Sequence, residues 1–454
     1  MTFVSIRFFI FLALFLVLYK LAENNQKLQK IIIIAGSYVF YSFYNISFAL
    51  LLLAISLFTW FAGTSLYSGK KKTLLAASIT INLVVLCFFK YIGLASSTDF
   101  FSKIAMPIGI SFYIFEAISF LVDSYNGKLT QKYSLTDVLL YLSFFPILVS
   151  GPIMKAHEFL PQCDKEHRIS LSSLESGAQR FLLGAFEKVV IADRLSVAVD
   201  AVYSAPAAYS GASLLWNSLT YTLQLFFDFA GYTNMAIGIA TILGFSIKEN
   251  FNLPYIASSP SDFWKRWHIS LSSWITEYVY IPLGGNRKGI TRTYINIMLA
   301  MLISGIWHGS TLNFVVWGGL HGLIQVIEKV AKKAIPSWNT TLFARIAGTV
   351  LTFVAVNFLW IPFRTDNLMM TLVVMKRILT NAAGLTYFYS YTFIFGLILS
   401  VVEIYALIKN SGNNPIKPLN LRTFRGKFII ATLLLLTLML AYFGNGAFIY
   451  GAKF

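Results

Sequence analysis

Long apolar runs separated by short polar stretches recur along the whole chain, at about residues 4–19, 31–67, 74–97, 105–122, 136–153, 178–203, 212–244, 293–307, 312–330, 343–363, 390–408 and 428–444. Most come near the roughly twenty residues that cross a bilayer as a helix, and the run over 31–67 is long enough for two. The pattern predicts an all-α, polytopic membrane protein with about a dozen transmembrane or re-entrant helices. No internal repeat, Pro- or Ser-rich linker or long polar stretch divides the chain, so residues 1–454 read as one integral membrane domain. The first run has no small-residue cleavage signal after it at Lys20-Leu21-Ala22-Glu23-Asn24, so it reads as a retained span rather than a removable signal peptide.

The polar interruptions carry the orientation. Lys70-Lys71-Lys72, the segment from Lys155 to Arg168, Asn286-Arg287-Lys288 with Arg292, Lys332-Lys333 and the stretch from Lys409 to Lys427 all qualify for the cytoplasmic side. Lys128 and Lys132, however, are separated from the Lys155 loop by a single apolar run. Both flanks are cytoplasmic only if that run is short or re-entrant. Helix breakers interrupt the apolar pattern at Pro107-Ile108-Gly109-Ile110-Ser111 and at Phe145-Pro146-Ile147-Leu148-Val149-Ser150-Gly151-Pro152. Irregular backbone at membrane depth requires protein or a water-filled cavity around it. Over 261–283, Trp264, Trp267 and Trp274 alternate with Lys265, Arg266, Ser270, Ser272 and Ser273, which predicts an amphipathic helix lying along the membrane surface.

Composition agrees with a membrane location: 57% of residues are hydrophobic, 12% are charged, and the mean hydropathy is +0.68. The net charge of +17 would suggest nucleic acid in a soluble protein; here the basic residues sit in loops beside anionic lipid, and no nucleic-acid partner is expected. Cys87 and Cys163 suggest neither a disulfide framework nor a cysteine zinc site.

Ionisable groups inside such runs need a reason to be there. The histidines are at positions 157, 167, 268, 308 and 321. His308, between Trp307 and Gly309 and shortly before Asn313, is suited to act as a neutral general base in a partly wet, low-dielectric pocket. A structural histidine bonded to a carbonyl is the alternative reading of the same residue. His268 beside Arg266 and Trp267 suits an interfacial polar residue, and His321 suits helix packing. His308 and His321 lie 13 residues apart, about 20 Å along one straight helix, so no shared metal is expected. Asp228, within Phe226-Phe227-Asp228-Phe229-Ala230, requires a buried partner such as arginine or a hydroxyl, and Asp193-Arg194 reads as an ion pair at a helix end. No nucleophile elbow, Walker A loop or dinucleotide fingerprint is present.

The chain resembles the membrane-bound O-acyltransferase (MBOAT) superfamily, in its bacterial branch that acetylates exopolysaccharide or peptidoglycan. The resemblance rests on an ordered series of segments. These are Gly109-Ile110-Ser111-Phe112-Tyr113, Phe144-Phe145-Pro146, Gly151-Pro152-Ile153, Asp228-Phe229-Ala230-Gly231-Tyr232 and Glu249-Asn250-Phe251-Asn252, followed by Phe263 to Ser272, Tyr280 to Arg287 and Trp307-His308-Gly309. The Ile281-Pro282-Leu283-Gly284-Gly285-Asn286-Arg287 loop looks like the alginate and peptidoglycan O-acetyltransferases rather than the D-alanyl branch. Two positions depart from the common family pattern: Asn234 stands where an aspartate is usual and Glu116 where a glutamine is usual.

The resemblance implies helices around a central tunnel, with His308 at the catalytic-histidine position and His268 as the second histidine of the core. Asp228, Trp307 and Asn313 are candidates to line the passage. It further implies acetyl-CoA as acyl donor without a metal, an extracytoplasmic acetyltransferase as partner, a polysaccharide acceptor reached through that partner, and residence in a bacterial cytoplasmic membrane. The rival reading is a transporter or flippase whose broken helices and histidines pass cargo without covalent chemistry. A third is an inactive scaffold for the partner.

Overall fold

A computed structural model describes residues 1–69, 71–95, 105–334, 341–408 and 418–442. Lys70, Lys409 and the ends of the runs predicted at 74–97 and 428–444 lie outside them. The first run forms α1 (Ile6–Leu21), started by Ser5, whose hydroxyl accepts the Phe8 amide. The double-length run divides into α2 (Gln26–Ser42) and α3 (Ile46–Ser68), the second capped by Asn45. Then come α4 (Lys72–Ala95), α5 (Ile110–Asn126), the short α6 (Leu135–Ser143), α7 (Phe145–Leu148) and α8 (Ala156–Cys163), and α9 (Leu171–Phe186). A π-helical turn, Glu187–Ala192, leads into α10 (Asp193–Ser204) and α11 (Gly211–Ile242). The second half holds α12 (Pro260–Arg266), α13 (Ile269–Ile275), a π turn at Thr276–Tyr280, α14 (Ile290–His308), α15 (Leu312–Ala334), α16 (Leu342–Arg364), α17 (Leu368–Leu379), α18 (Ser390–Ile408) and α19 (Phe424–Leu440).

Six stretches among the described residues are long and apolar enough to cross a membrane: Ile46–Ser68, Lys72–Ile92, Gly211–Ile242, Ile290–His308, Leu312–Ala334 and Leu342–Arg364. The chain is thus a multi-pass, all-helical membrane protein. α11 is its axis, with 94% of its apolar window inside the protein. α9 crosses it at backbone contact: a Cβ added to Gly184 would lie 2.4 Å from the Gly231 carbonyl oxygen. Membrane helices without water to drive them together gain their attraction from such close approach. At the same crossing Asn234 accepts from Arg180 at 3.0 Å and donates to Glu187 at 2.7 Å. An aspartate there would face the Glu187 carboxyl, and the amide turns that contact into a hydrogen bond.

The two sequence breaks pack on each other. Gly109, at φ 80°, comes so close to the Leu148 carbonyl oxygen that a Cβ would lie 2.3 Å from it. Side chains take up the backbone groups that the breaks release. The Tyr41 hydroxyl donates to the Ile108 carbonyl at 2.6 Å, and the Phe145 amide donates to Ser37 Oγ at 3.2 Å. The Ile153 amide donates to Ser270 Oγ at 3.0 Å and the Met154 amide to Glu116 Oε1 at 3.2 Å. The run at 136–153 is therefore no span: nine residues of α6 reach only about 14 Å. Lys128 and Lys155, on either side of it, both donate to the Glu277 carboxylate, so the two basic flanks share one side.

Two sequence expectations are corrected. Residues 261–283 are not a surface helix. They break into α12, α13 and a π turn, with Trp264, Trp267, His268 and Trp274 buried in the interior and Lys265 facing out. Asp193 does not pair with Arg194. The π turn swings Lys188 to within 2.6 Å of Asp193, while Arg194 donates to the Leu440 carbonyl.

Candidate active site

α14 and α15 form a hairpin that turns through Gly309, Ser310 and Thr311. Its arms touch backbone to backbone: a Cβ on Gly305 would lie 2.2 Å from the Phe314 carbonyl oxygen, and one on Gly318 2.4 Å from that of Met301. The two runs at 293–307 and 312–330 are separate helices, so the separation reckoned along one straight helix does not apply, and the turn folds His321 back toward His308. The two imidazoles lie against the same indole, Trp317, with ring centroids 4.9 and 4.8 Å from it. The Trp307 and Phe363 rings, at 4.9 and 5.4 Å, close around His308, which is 1% exposed.

His268 reaches the same centre from another direction. It stands between α12 and α13 at φ 45°, a left-handed conformation rare for a non-glycine residue and frequent at functional positions. This kink directs its ring inward, 6.4 Å from His308 and edge-on to Phe229 at 4.7 Å. Asn250 holds it there. The Asn250 Oδ1 atom accepts from Ser270 Oγ at 2.9 Å and from the Ser270 amide at 3.2 Å, and lies 3.1 Å from His268 Nδ1. An oxygen already serving as acceptor assigns the Nδ1 proton to His268 and leaves the lone pair on Nε2. Asn250 belongs to a motif that carried the family resemblance, but its spacing from His268 gives no local sign of this contact.

The other predicted residues separate. Trp307 lines the centre: its indole donates to the Ser111 carbonyl at 3.3 Å, its ring packs on Phe112 and Phe115, and its own carbonyl accepts from the buried Lys90 ammonium. Asn313 shares a face of α15 with Trp317 and His321, and its amide donates to the Thr365 carbonyl at 2.8 Å. Asp228 turns elsewhere, to Lys188 at 2.7 Å; it is the adjacent Phe229 that touches His268.

Among the described residues, three side chains of metal-ligating type converge at Asp123, His157 and Glu277, a group that includes neither His308 nor His268. Protein groups engage all three. Asp123 accepts from His157 Nδ1 at 2.8 Å and from the Tyr278 hydroxyl at 2.9 Å, and Glu277 binds Lys155 at 2.5 Å as well as Lys128. Burial alone would raise the Glu277 carboxyl, but the two lysines bring it down to about 2. An apolar cavity of about 540 Å³, lined by Trp216, Tyr255, Phe353 and Phe393 among others, contains no histidine or carboxylate in its wall.

A buried histidine pair on broken helices, enclosed by aromatic rings within a polytopic helical membrane protein, is a setting for proton transfer away from bulk water. The chain belongs to the membrane-bound O-acyltransferase family, whose model matches residues 33–375 and so takes in both histidines. It is 35% identical over 378 residues to the probable alginate O-acetylase AlgI of Pseudomonas syringae pv. tomato, covering 79% of this chain and 71% of that protein. With the peptidoglycan O-acetyltransferase of Helicobacter pylori it shares 33% identity over 397 residues, covering 78% and 74%. With the teichoic acid D-alanyltransferase of Bacillus subtilis it shares 31% over 270 residues, covering 54% and 65%. The protein is a membrane O-acyltransferase.

Proposed function

We propose that this enzyme takes an acetyl group from cytosolic acetyl-CoA and passes it across a bacterial cytoplasmic membrane. An extracytoplasmic acetyltransferase partner then places it on a cell-wall polysaccharide, peptidoglycan or an alginate-like exopolysaccharide. The observation that carries this reading is the meeting of His308 and His268, 6.4 Å apart and buried together. The longer and closer matches to the alginate and peptidoglycan O-acetyltransferases support acetyl over D-alanyl as the group moved.

In this mechanism His308 accepts the proton of the attacking hydroxyl as its oxygen bonds to the thioester carbonyl carbon. The tetrahedral adduct then expels the CoA thiolate, which recovers that proton. His268, with Nδ1 committed to Asn250, holds the reacting groups in register. No step requires a metal.

The test is acetyl transfer from labelled acetyl-CoA by the reconstituted protein, with and without its partner. A general base contributes roughly 10²- to 10⁴-fold, so His308→Ala should lose at least about 100-fold in transfer while remaining folded in the membrane. Undiminished transfer by that variant would remove His308 from the mechanism. Release of unmodified cargo with acetyl-CoA left intact would establish the transporter reading.

A further inference from the structure

Beside the histidine pair lies a group of hydrogen-bond donors with no acceptor among the described residues. Trp317 and Trp360 are 0% and 1% exposed, and neither indole Nε1 has a hydrogen-bond partner among the described residues. His321 is equally buried, and its Nδ1 accepts from the Trp264 indole at 3.3 Å. A ring nitrogen that accepts carries no proton, so the neutral imidazole bears its hydrogen on Nε2. That atom too has no partner among the described residues.

These three side chains form one cluster. The Trp317 ring lies 4.8 Å from His321 and 5.8 Å from Trp360, His321 lies 6.2 Å from Trp360, and Trp317 is 4.9 Å from His308. They come from two helices, α15 and α16. Desolvating a donor without supplying an acceptor is unfavourable, and buried polar atoms in native proteins are nearly always matched. Three such donors in one cluster are suited to match an oxygen that arrives with a ligand.

We infer that the Nε1–H groups of Trp317 and Trp360 and the Nε2–H of His321 form an oxyanion-binding site for the acyl carbonyl of the donor thioester. The inference rests on the acyl-transfer reading above and adds to it the groups that receive the developing charge. When the acceptor hydroxyl oxygen bonds to the carbonyl carbon and gives its proton to His308, the carbonyl π electrons move onto oxygen. The resulting oxyanion accepts hydrogen bonds from the three N–H groups. As the carbonyl re-forms, the carbon–sulfur bond breaks and the thiolate takes the proton from His308. Hydroxyl and thioester have become ester and thiol. Indole donors suit the task because they hold negative charge without surrendering a proton.

The decisive experiment replaces Trp317 or Trp360, in the full reconstituted chain, with 3-benzothienylalanine, which keeps the bicyclic shape and lacks the N–H. Acetyl-CoA turnover is measured alongside wild type and His308→Ala, with melting temperature as a check on folding. Each isostere should lower kcat about 100-fold, the effect of removing one oxyanion donor, with KM changed less than about twofold. His321→Gln, whose amide retains a donor near Nε2, should keep more activity than His321→Met. Isosteres that turn over at the wild-type rate, or that raise KM alone, overturn the inference and leave the donors to bound water or packing. A wild-type protein that does not consume acetyl-CoA overturns the acyl-transfer reading and the inference together, so the two failures are distinguishable.

Discussion

Asp228 and Phe229 are consecutive on α11, about 100° apart around its axis, and they open onto two buried regions built on opposite terms. On the Asp228 side, Lys188 lies 2.7 Å from Asp228 and 2.6 Å from Asp193. One ammonium there bridges two carboxylates, and such pairing is the condition on which an ion survives burial. On the Phe229 side lies the histidine centre, made of imidazoles and indoles, where the Nε1 of Trp317 and of Trp360 and the Nε2 of His321 have no hydrogen-bond partner among the described residues. An interior that closes its charges in one place and leaves hydrogen-bonding capacity in another separates two tasks. On our reading the first region joins the π turn at Glu187–Ala192 to α10 and α11, and the second receives the substrate.

The strongest challenge to this division is Lys188→Met. It strands the Asp228 and Asp193 carboxylates together, so the loss of stability should be about 3–5 kcal/mol, seen as a lower melting temperature in detergent. Asp228→Leu, which leaves Lys188 its contact with Asp193, should lose less. A stable but inactive Asp228→Leu protein would instead place Asp228 in the chemistry and erase the contrast. Asn250→Leu probes the other region: His268 loses the group that orients it, so turnover should fall about 100-fold, and the Ser270 and His268 donors left unmatched should cost about 1–3 kcal/mol of stability. A loss of stability with turnover undiminished would make Asn250 a structural residue only.

The smallest expected effect is at Glu277. Its carboxyl sits below its ordinary value in the folded protein, so the stability it contributes is full above about pH 4.5 and is lost as pH falls toward 2. Glu277→Gln should therefore melt below wild type near neutral pH, and the difference should shrink on acidification. A gap that stays constant with pH would show that its lysine contacts contribute nothing through charge.

Much of the helical architecture was legible because apolar length and helix ends are local properties. The division of 31–67 into two helices is an example. The misreadings arise where one local pattern has two three-dimensional solutions. Indoles alternating with serines and basic residues suit a membrane surface, but they equally suit a broken segment whose rings are buried in protein, as Trp264, Trp267 and Trp274 are. The separation of about 20 Å between His308 and His321 holds only along an uninterrupted helix, and the break between the runs at 293–307 and 312–330 lets the two rings meet on one indole. Asn313, Trp317 and His321 recur every four residues on one face of α15, a periodic sign of a shared lining. Trp360, on α16, has no local sign linking it to them, because the contact is made only when separate helices pack.

The tight α14–α15 turn also bears on how the enzyme is made. With three residues between the arms and glycines where they cross, the pair is suited to enter the bilayer as a preformed hairpin, and His308 and Trp317 are neighbours from that moment. Trp360 follows only when the next helix has been synthesised. Chain elongation therefore brings the centre together in a fixed order, His308 and Trp317 first and Trp360 afterwards, so a chain stopped before α16 holds the paired ring and imidazole without the second indole.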